Sequence, residues 1–111
     1  MSKASMALEA LPEGARRQIE VLGGNLRTAR LRRSLSQDEL ARLAKTSRYT
    51  IQRIEKGDPA VSIGIIAHVL WILQLDDLER VGDPSLDEHG LALSVAALPK
   101  RVKSKDDRYD F

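Results

Sequence analysis

Four polar side chains able to hydrogen-bond nucleobases lie within residues 48–53: Arg48, Tyr49, Gln52 and Arg53. An arginine can donate two hydrogen bonds to guanine O6 and N7, and a glutamine amide can pair with the edge of adenine. A tyrosine can pack on a thymine methyl group or bond a phosphate. None of these contacts makes or breaks a covalent bond, so the residue types predict recognition of duplex DNA rather than catalysis.

Four neighbouring residues are suited to phosphate contact: Gln37, Ser47, Thr50 and Lys56. Gln37 begins a predicted helix, whose first backbone N–H groups favour an anion. The charge distribution agrees, because residues 1–57 carry a net charge of +6, residues 58–98 carry −6 and residues 99–111 carry +2. A basic half beside an acidic segment favours a polyanion on one face, although patchy surface charge alone is the simpler alternative.

The spacing around these residues predicts two helices joined by a short turn. A capping box, Ser36-Gln37-Asp38-Glu39, begins the first helix. Residues 45–47 form the turn, Ser47 caps a second helix from Arg48 to Lys56, and Gly57 ends it. Apolar residues recur at helical spacing along both helices, at Leu40, Leu43, Ala44, Ile51 and Ile54. In such a pair the second helix enters the major groove with its first turn towards the base edges.

The flanking segments are also predicted to be helical. A helix runs from Pro12 to about Arg33, and Gly23-Gly24 leaves open whether it is one kinked helix or two. Ser62 caps a helix from Ile63 to about Leu75, which is apolar almost all round and so predicts burial on a second side at an interface.

The C-terminal part is less regular in pattern. A short helix is predicted from residue 76 to Val81, and a second capping box at residues 85–88 predicts a helix to about Leu98. The alternation from Leu91 to Val95 leaves a strand open as an alternative for residues 86–98.

These residues carry a resemblance. From about Leu22 to Leu75 the chain resembles the Cro/repressor-type helix-turn-helix family, often called XRE. The resemblance rests on the skeleton Arg30 … Leu35-Ser36-Gln37-x-x-Leu40-Ala41 … Thr50-Ile51 … Ile54-Glu55-x-Gly57. It implies an all-α, five-helix, lambda-repressor-like DNA-binding domain with an N-terminal helical extension and a C-terminal dimerisation or partner element.

The resemblance also implies roles for particular residues. Arg30 of the first family helix would pair, partly buried, with Glu55 at the end of the recognition helix; a surface ion pair is the alternative. The family often has glycine where this chain has Lys45 and Gln74. Lys45 is therefore expected to adopt a positive φ, which is costly for a residue other than glycine.

The family register places three apolar residues on the outer face of the helix that follows: Ile65, Trp71 and Ile72. We expect these to form the dimer contact, with a place in the core as the alternative for Trp71.

A second resemblance extends beyond the DNA-binding unit. The segments Gly57-Asp58-Pro59, Asp83-Pro84-Ser85 and Leu98-Pro99-Lys100-Arg101-Val102 resemble HipB-like antitoxins, the regulators encoded beside HipA-type kinase toxins. This implies a homodimer that represses its own operon at a palindromic operator and binds a HipA-like kinase toxin. An orphan prophage-type repressor without a toxin partner is the alternative, as is a protein that acts chiefly by inhibiting a partner enzyme.

The predicted organisation is a flexible leader at 1–15, a helix-turn-helix domain at 16–82, a dimer or partner element at 83–98 and a disordered charged tail at 99–111. The chain has no cysteine, and its two histidines, His68 and His89, do not make a zinc site. No catalytic set or nucleotide fingerprint is present, so neither an enzyme nor a cofactor is predicted. No apolar run reaches the ~18 residues of a membrane span. The expected location is the cytoplasm, in association with the nucleoid.

Overall fold

Six α-helices account for most of the residues that the computed structural model describes, which are 2–75 and 77–99. The helices are α1 (Lys3–Glu9), α2 (Glu13–Arg32), α3 (Gln37–Leu43), α4 (Arg48–Glu55), α5 (Ile63–Ile72) and α6 (Glu88–Ala96). Two 3-10 turns, Leu78–Arg80 and Pro84–Leu86, lie between α5 and α6. No strand occurs in these ranges, which confirms the all-α prediction for them. The chain divides after Leu78 into two compact units.

Serine side chains begin the three helices that follow α2. The hydroxyls of Ser36, Ser47 and Ser62 each accept a hydrogen bond from the backbone N–H three residues ahead, at 3.0, 3.1 and 3.3 Å. Glu39 completes the predicted capping box by accepting from the backbone N–H of Ser36 at 3.0 Å. These caps satisfy N–H groups that a helix start otherwise leaves without partners, so the local sequence determines where each helix begins.

The ends of α2 to α5 share one backbone motif, in which the second residue past the helix adopts a left-handed conformation. Those residues are Ser34, Lys45, Gly57 and Gln74, with φ of 55°, 54°, 80° and 59°. In each case that residue and the next donate back to carbonyls of the last turn, as when Gly57 bonds Ile54 and Asp58 bonds Arg53, both at 3.0 Å. The positive φ expected of Lys45 is confirmed.

The core of the first unit is built from α2 to α5. Leu26, Leu40, Ile51, Val69 and Leu73 are its largest fully buried side chains. The helix α2 is continuous through Gly23 and Gly24, so the two-helix alternative is wrong. Gly23 instead serves close packing, because a Cβ at this position would overlap the carbonyl oxygen of Ile54 and lie 2.9 Å from that of Glu55.

Residues 3–9 form a helix, because Ser2 caps it and Arg16 donates to the Leu8 carbonyl at 3.2 Å. The flexible leader at 1–15 stays a prediction, while two other local predictions need correction. The predicted fifth helix is only the turn Leu78–Arg80, and it ends before Gly82, whose φ is 79°. The start of α6 is capped by Asp87 rather than Ser85, since Asp87 accepts from the Gly90 N–H at 2.9 Å.

The remaining C-terminal predictions divide between the described and the undescribed residues. The helix alternative for residues 86–98 is correct, and α6 has no buried residue of its own. The predicted charged tail lies outside the described residues, apart from Pro99.

Candidate nucleic-acid interface

The two predicted helices form a helix-turn-helix, with α4 presented on the outside. Ile51 and Ile54 are buried, and they lie on the side of α4 that packs against α2 and α3. Arg48 and Tyr49, in the first turn of α4, are exposed, while Gln52 and Arg53 are half-buried. A short helix held in this way can present its first turn to a major groove.

A buried ion pair locks α4 to α2. Arg30 donates from Nε to Glu55 Oε2 at 2.7 Å and from Nη2 to Oε1 at 3.1 Å, and the two side chains are only 7% and 5% exposed. Arg30 Nη1 also donates to the carbonyl of Leu35 at 2.8 Å. The structure thus brings the two predicted members of the pair together, with the charge of each matched by the other.

Gln37 extends this cluster towards α4. Its amide nitrogen donates to Glu55 Oε1 at 3.1 Å, and its amide oxygen accepts from Gln52 at 3.4 Å. The side chain is therefore engaged with protein partners rather than turned outwards to phosphate. Phosphate contact by Gln37 would use its backbone N–H at the start of α3.

The two arginines of α4 differ in how firmly they are held. Arg48 lies 3.8 Å from Asp38, and both side chains are more than half exposed, so this pair constrains Arg48 little. Arg53 donates from Nε to Asp58 Oδ2 at 2.7 Å, and its guanidinium lies 5.7 Å from the centre of the Tyr49 ring. The Arg53 hydrogen bond and that from the Ala60 N–H lower the pKa of Asp58, and Asp58 raises the pKa of Arg53.

The other predicted phosphate contacts lie around α4. Ser47 Oγ caps the helix and lies 3.0 Å from Thr50 Oγ1, so both hydroxyls sit at the N-terminal end. Lys56 is exposed at the C-terminal end. Arg27, which the sequence analysis did not select, lines a cleft together with Arg30, Gln37 and Arg48.

Comparison with known families agrees with this geometry. A family model described as a helix-turn-helix domain matches residues 21–81, which is more than half of the chain. The chain belongs to this helix-turn-helix domain family. The family indicates a DNA-binding regulator and is typically non-enzymatic. No curated protein and no solved structure gives a significant match to the chain.

The matched helix-turn-helix region includes α5, where three dimer residues were predicted. Trp71 is exposed, as expected from the register. Ile65 and Ile72 are instead half-buried and pack against the core, so the expectation that they face outwards is wrong. Ile63, which sequence reasoning did not select, is as exposed as Trp71.

Two kinds of feature are absent from residues 2–75 and 77–99. No described helix combines the length and the apolar character that crossing a membrane requires. No group of three or more metal-ligating side chains comes together among the same residues.

Proposed function

We propose that this helix-turn-helix protein binds a specific DNA sequence as a homodimer and represses transcription. The observation that carries the proposal is the buried Arg30–Glu55 pair, which holds α4 by its C-terminal end and leaves its first turn exposed. In the complex Arg48, Tyr49, Gln52 and Arg53 read bases. Gln37, Ser47, Thr50 and Lys56, with Arg27, contact phosphate.

The proposed operator follows from two-fold symmetry. Two copies of α4 related by a dyad would read a pseudo-palindrome with half-sites about one helical turn apart. The two large exposed apolar side chains of α5, Ile63 and Trp71, support a contact between copies, since both are about 70% exposed. A repressor of this kind acts in the cytoplasm in association with the nucleoid.

Selection from a duplex library with a randomised centre tests the DNA-binding proposal. The wild-type chain should enrich a palindromic sequence. Against that sequence, Arg48→Ala should cost about 1–3 kcal/mol of base discrimination, while Lys56→Ala should weaken all duplexes alike and reduce the salt slope by about one. Failure to enrich any sequence would refute sequence-specific binding, and equal loss of selectivity in both variants would refute the assigned roles.

The mass of the protein in solution tests the dimer. We expect a dimer for the wild type and a shift towards monomer for Trp71→Ala. A wild-type monomer that remains monomeric on the selected duplex would contradict the proposal.

A second proposal concerns a protein partner, and exposed apolar residues on α6 and just after it support it. Four large apolar side chains are more than half exposed, and no residue of α6 is buried. These side chains are Leu91, Leu93, Val95 and Leu98. With the resemblance to HipB-like antitoxins, this favours a HipA-like kinase toxin as partner and autorepression of a shared operon. A neighbouring reading frame for such a kinase, whose product co-purifies with the chain, is the expected result. Its absence would favour an orphan prophage-type repressor, and inhibition of the kinase without operator binding would favour an inhibitor.

A further inference from the structure

The end of α4 places Asp58 beside Arg53. Asp58 donates its backbone N–H to the Arg53 carbonyl at 3.0 Å, and Gly57 donates to Ile54 at 3.0 Å. In this helix ending the residues at the positions of Arg53 and Asp58 lie side by side, usually in an apolar contact. Here the contact is an ion pair, with Arg53 Nε 2.7 Å from Asp58 Oδ2.

Both members of this pair are held by further contacts. Asp58 Oδ1 accepts from the backbone N–H of Ala60 at 2.8 Å, which fixes the carboxylate in the turn that precedes α5. The Arg53 guanidinium lies 5.7 Å from the Tyr49 ring centre, within the range of a cation–π contact. Both groups are ionised at neutral pH, which lies far from their ordinary pKa values, and each shifts the pKa of the other further towards the charged form. The guanidinium is thus restrained by the ring and through Nε.

These restraints leave a defined part of the guanidinium for DNA. The bond to Asp58 uses Nε, and among the described residues neither terminal amino group of Arg53 donates to an acceptor. The two terminal amino groups form a fork that can donate to guanine O6 and N7 together. Arg48, by contrast, has its nearest carboxylate at 3.8 Å and is free to adapt to phosphate or base.

We propose that Asp58, which lies outside the recognition helix, is a positioning residue that orients Arg53 as the guanine reader of each half-site. This inference rests on the proposed function. Because Asp58 neutralises Arg53, the pair adds little to the attraction that any DNA exerts on a cation. Its contribution is to sequence preference rather than to overall affinity.

The test compares affinities for two duplexes. The first duplex is the sequence selected by the wild-type chain. The guanine that Arg53 reads is identified as the position at which Arg53→Ala loses preference. The second duplex has that guanine replaced in both half-sites. The wild type should prefer the first duplex at least about 30-fold, since two arginine–guanine pairs are lost in the second and each is worth about fivefold or more. Asp58→Asn keeps an oxygen for the Ala60 N–H but turns an amide donor towards Arg53 Nε, so it should lose most of this preference. The ratio of two affinities for one preparation does not depend on the folded fraction, so a merely structural role would leave it unchanged.

Two further variants complete the design. Arg53→Ala combined with Asp58→Asn should show the same preference as Arg53→Ala alone, because Asp58 acts through Arg53. Glu13→Gln removes the same charge from an exposed position at the start of α2 and should retain the full preference.

Each outcome decides the matter. Full guanine preference in Asp58→Asn would overturn the inference, even if this variant bound both duplexes more tightly, since removal of the Asp58 charge alone strengthens attraction to any DNA. A wild type that prefers no sequence would overturn the proposed function as well, and this result is distinct from the others.

Discussion

Replacing Glu55 with glutamine tests whether the buried ion pair holds α4 in place. The carboxylate accepts from Arg30 at 2.7 and 3.1 Å and from Gln37 at 3.1 Å, so both of its oxygens are used. Glutamine has nearly the same shape, but it carries no charge and turns an amide group towards one of these donors. Arg30, whose side chain is 7% exposed, would then be a buried cation without a counterion.

The expected cost is large for a domain of this size. Breaking one member of a buried pair costs about 3–5 kcal/mol, whereas small domains are stable by only about 5–15 kcal/mol in total. At about 4–8 °C per kcal/mol, the midpoint of thermal unfolding should fall by at least about 12 °C. Urea unfolding followed by circular dichroism measures the same loss as a lower midpoint with an unchanged slope.

Asp38→Asn is the matched control, because it makes the same chemical change in the exposed pair with Arg48. That pair is separated by 3.8 Å, and its loss should cost less than about 1 kcal/mol, an amount that salt reduces further. The reasoning is refuted if Glu55→Gln costs no more than Asp38→Asn, since the buried pair would then contribute no more than a surface one.

Three other perturbations follow from the structure. Gly23→Ala should destabilise the fold, because its Cβ would overlap the Ile54 carbonyl. Gly24→Ala should stabilise α2 by about 1 kcal/mol, because a Cβ there has nothing within 4 Å. Equal urea midpoints for the two variants would contradict this packing. Lys45→Gly and Gln74→Gly should each raise the free energy of unfolding by up to about 1 kcal/mol, since glycine adopts positive φ without strain, and Ser47→Gly, at φ −90°, should show no such gain. The pKa values of Asp58, Glu39 and Asp83 are lowered by hydrogen bonds from Arg53, Ser36 and Ser85 respectively, so these carboxyls bind protons less readily in the folded state. Their contribution to the free energy of unfolding should be complete above the unfolded-state pKa near pH 4 and lost as the pH falls below it. Urea midpoints that do not fall on acidification would contradict this.

The helices of the helix-turn-helix were predictable because the sequence features that begin them are local. A serine hydroxyl three residues before a free N–H is enough to begin a helix, so Ser36, Ser47 and Ser62 could be assigned without tertiary information. The positive φ of Lys45 was expected from the family resemblance, because the family often has glycine at this position. The Arg30–Glu55 contact was different: its residues are 25 apart, and only the family resemblance suggested it.

The errors fall where tertiary structure decides. Two adjacent glycines reduce helix propensity, yet α2 continues through them because Gly23 lets α4 approach its backbone, and this packing outweighs the local cost. The proposed role of Asp58 depends on its side-chain pair with Arg53, which the chain can form because the helix ends at Gly57. Its position could have been found from the rule that the residue after Gly57 lies beside Arg53, but the rule does not say which contact forms.

The apolar character of α5 illustrates how far such a pattern can be used. A helix apolar on all sides was interpreted as one buried on a second side by another copy of the chain. The structure shows that the core alone buries Val69, Leu70 and Leu73 and half-buries Ile65 and Ile72, which leaves Ile63 and Trp71 exposed. The excess apolar surface that needs a partner is therefore smaller than the sequence indicated. Substituting Ile65 or Ile72 would report mainly on the fold, whereas Ile63 and Trp71 are the residues of α5 that can report on association without removing a core contact.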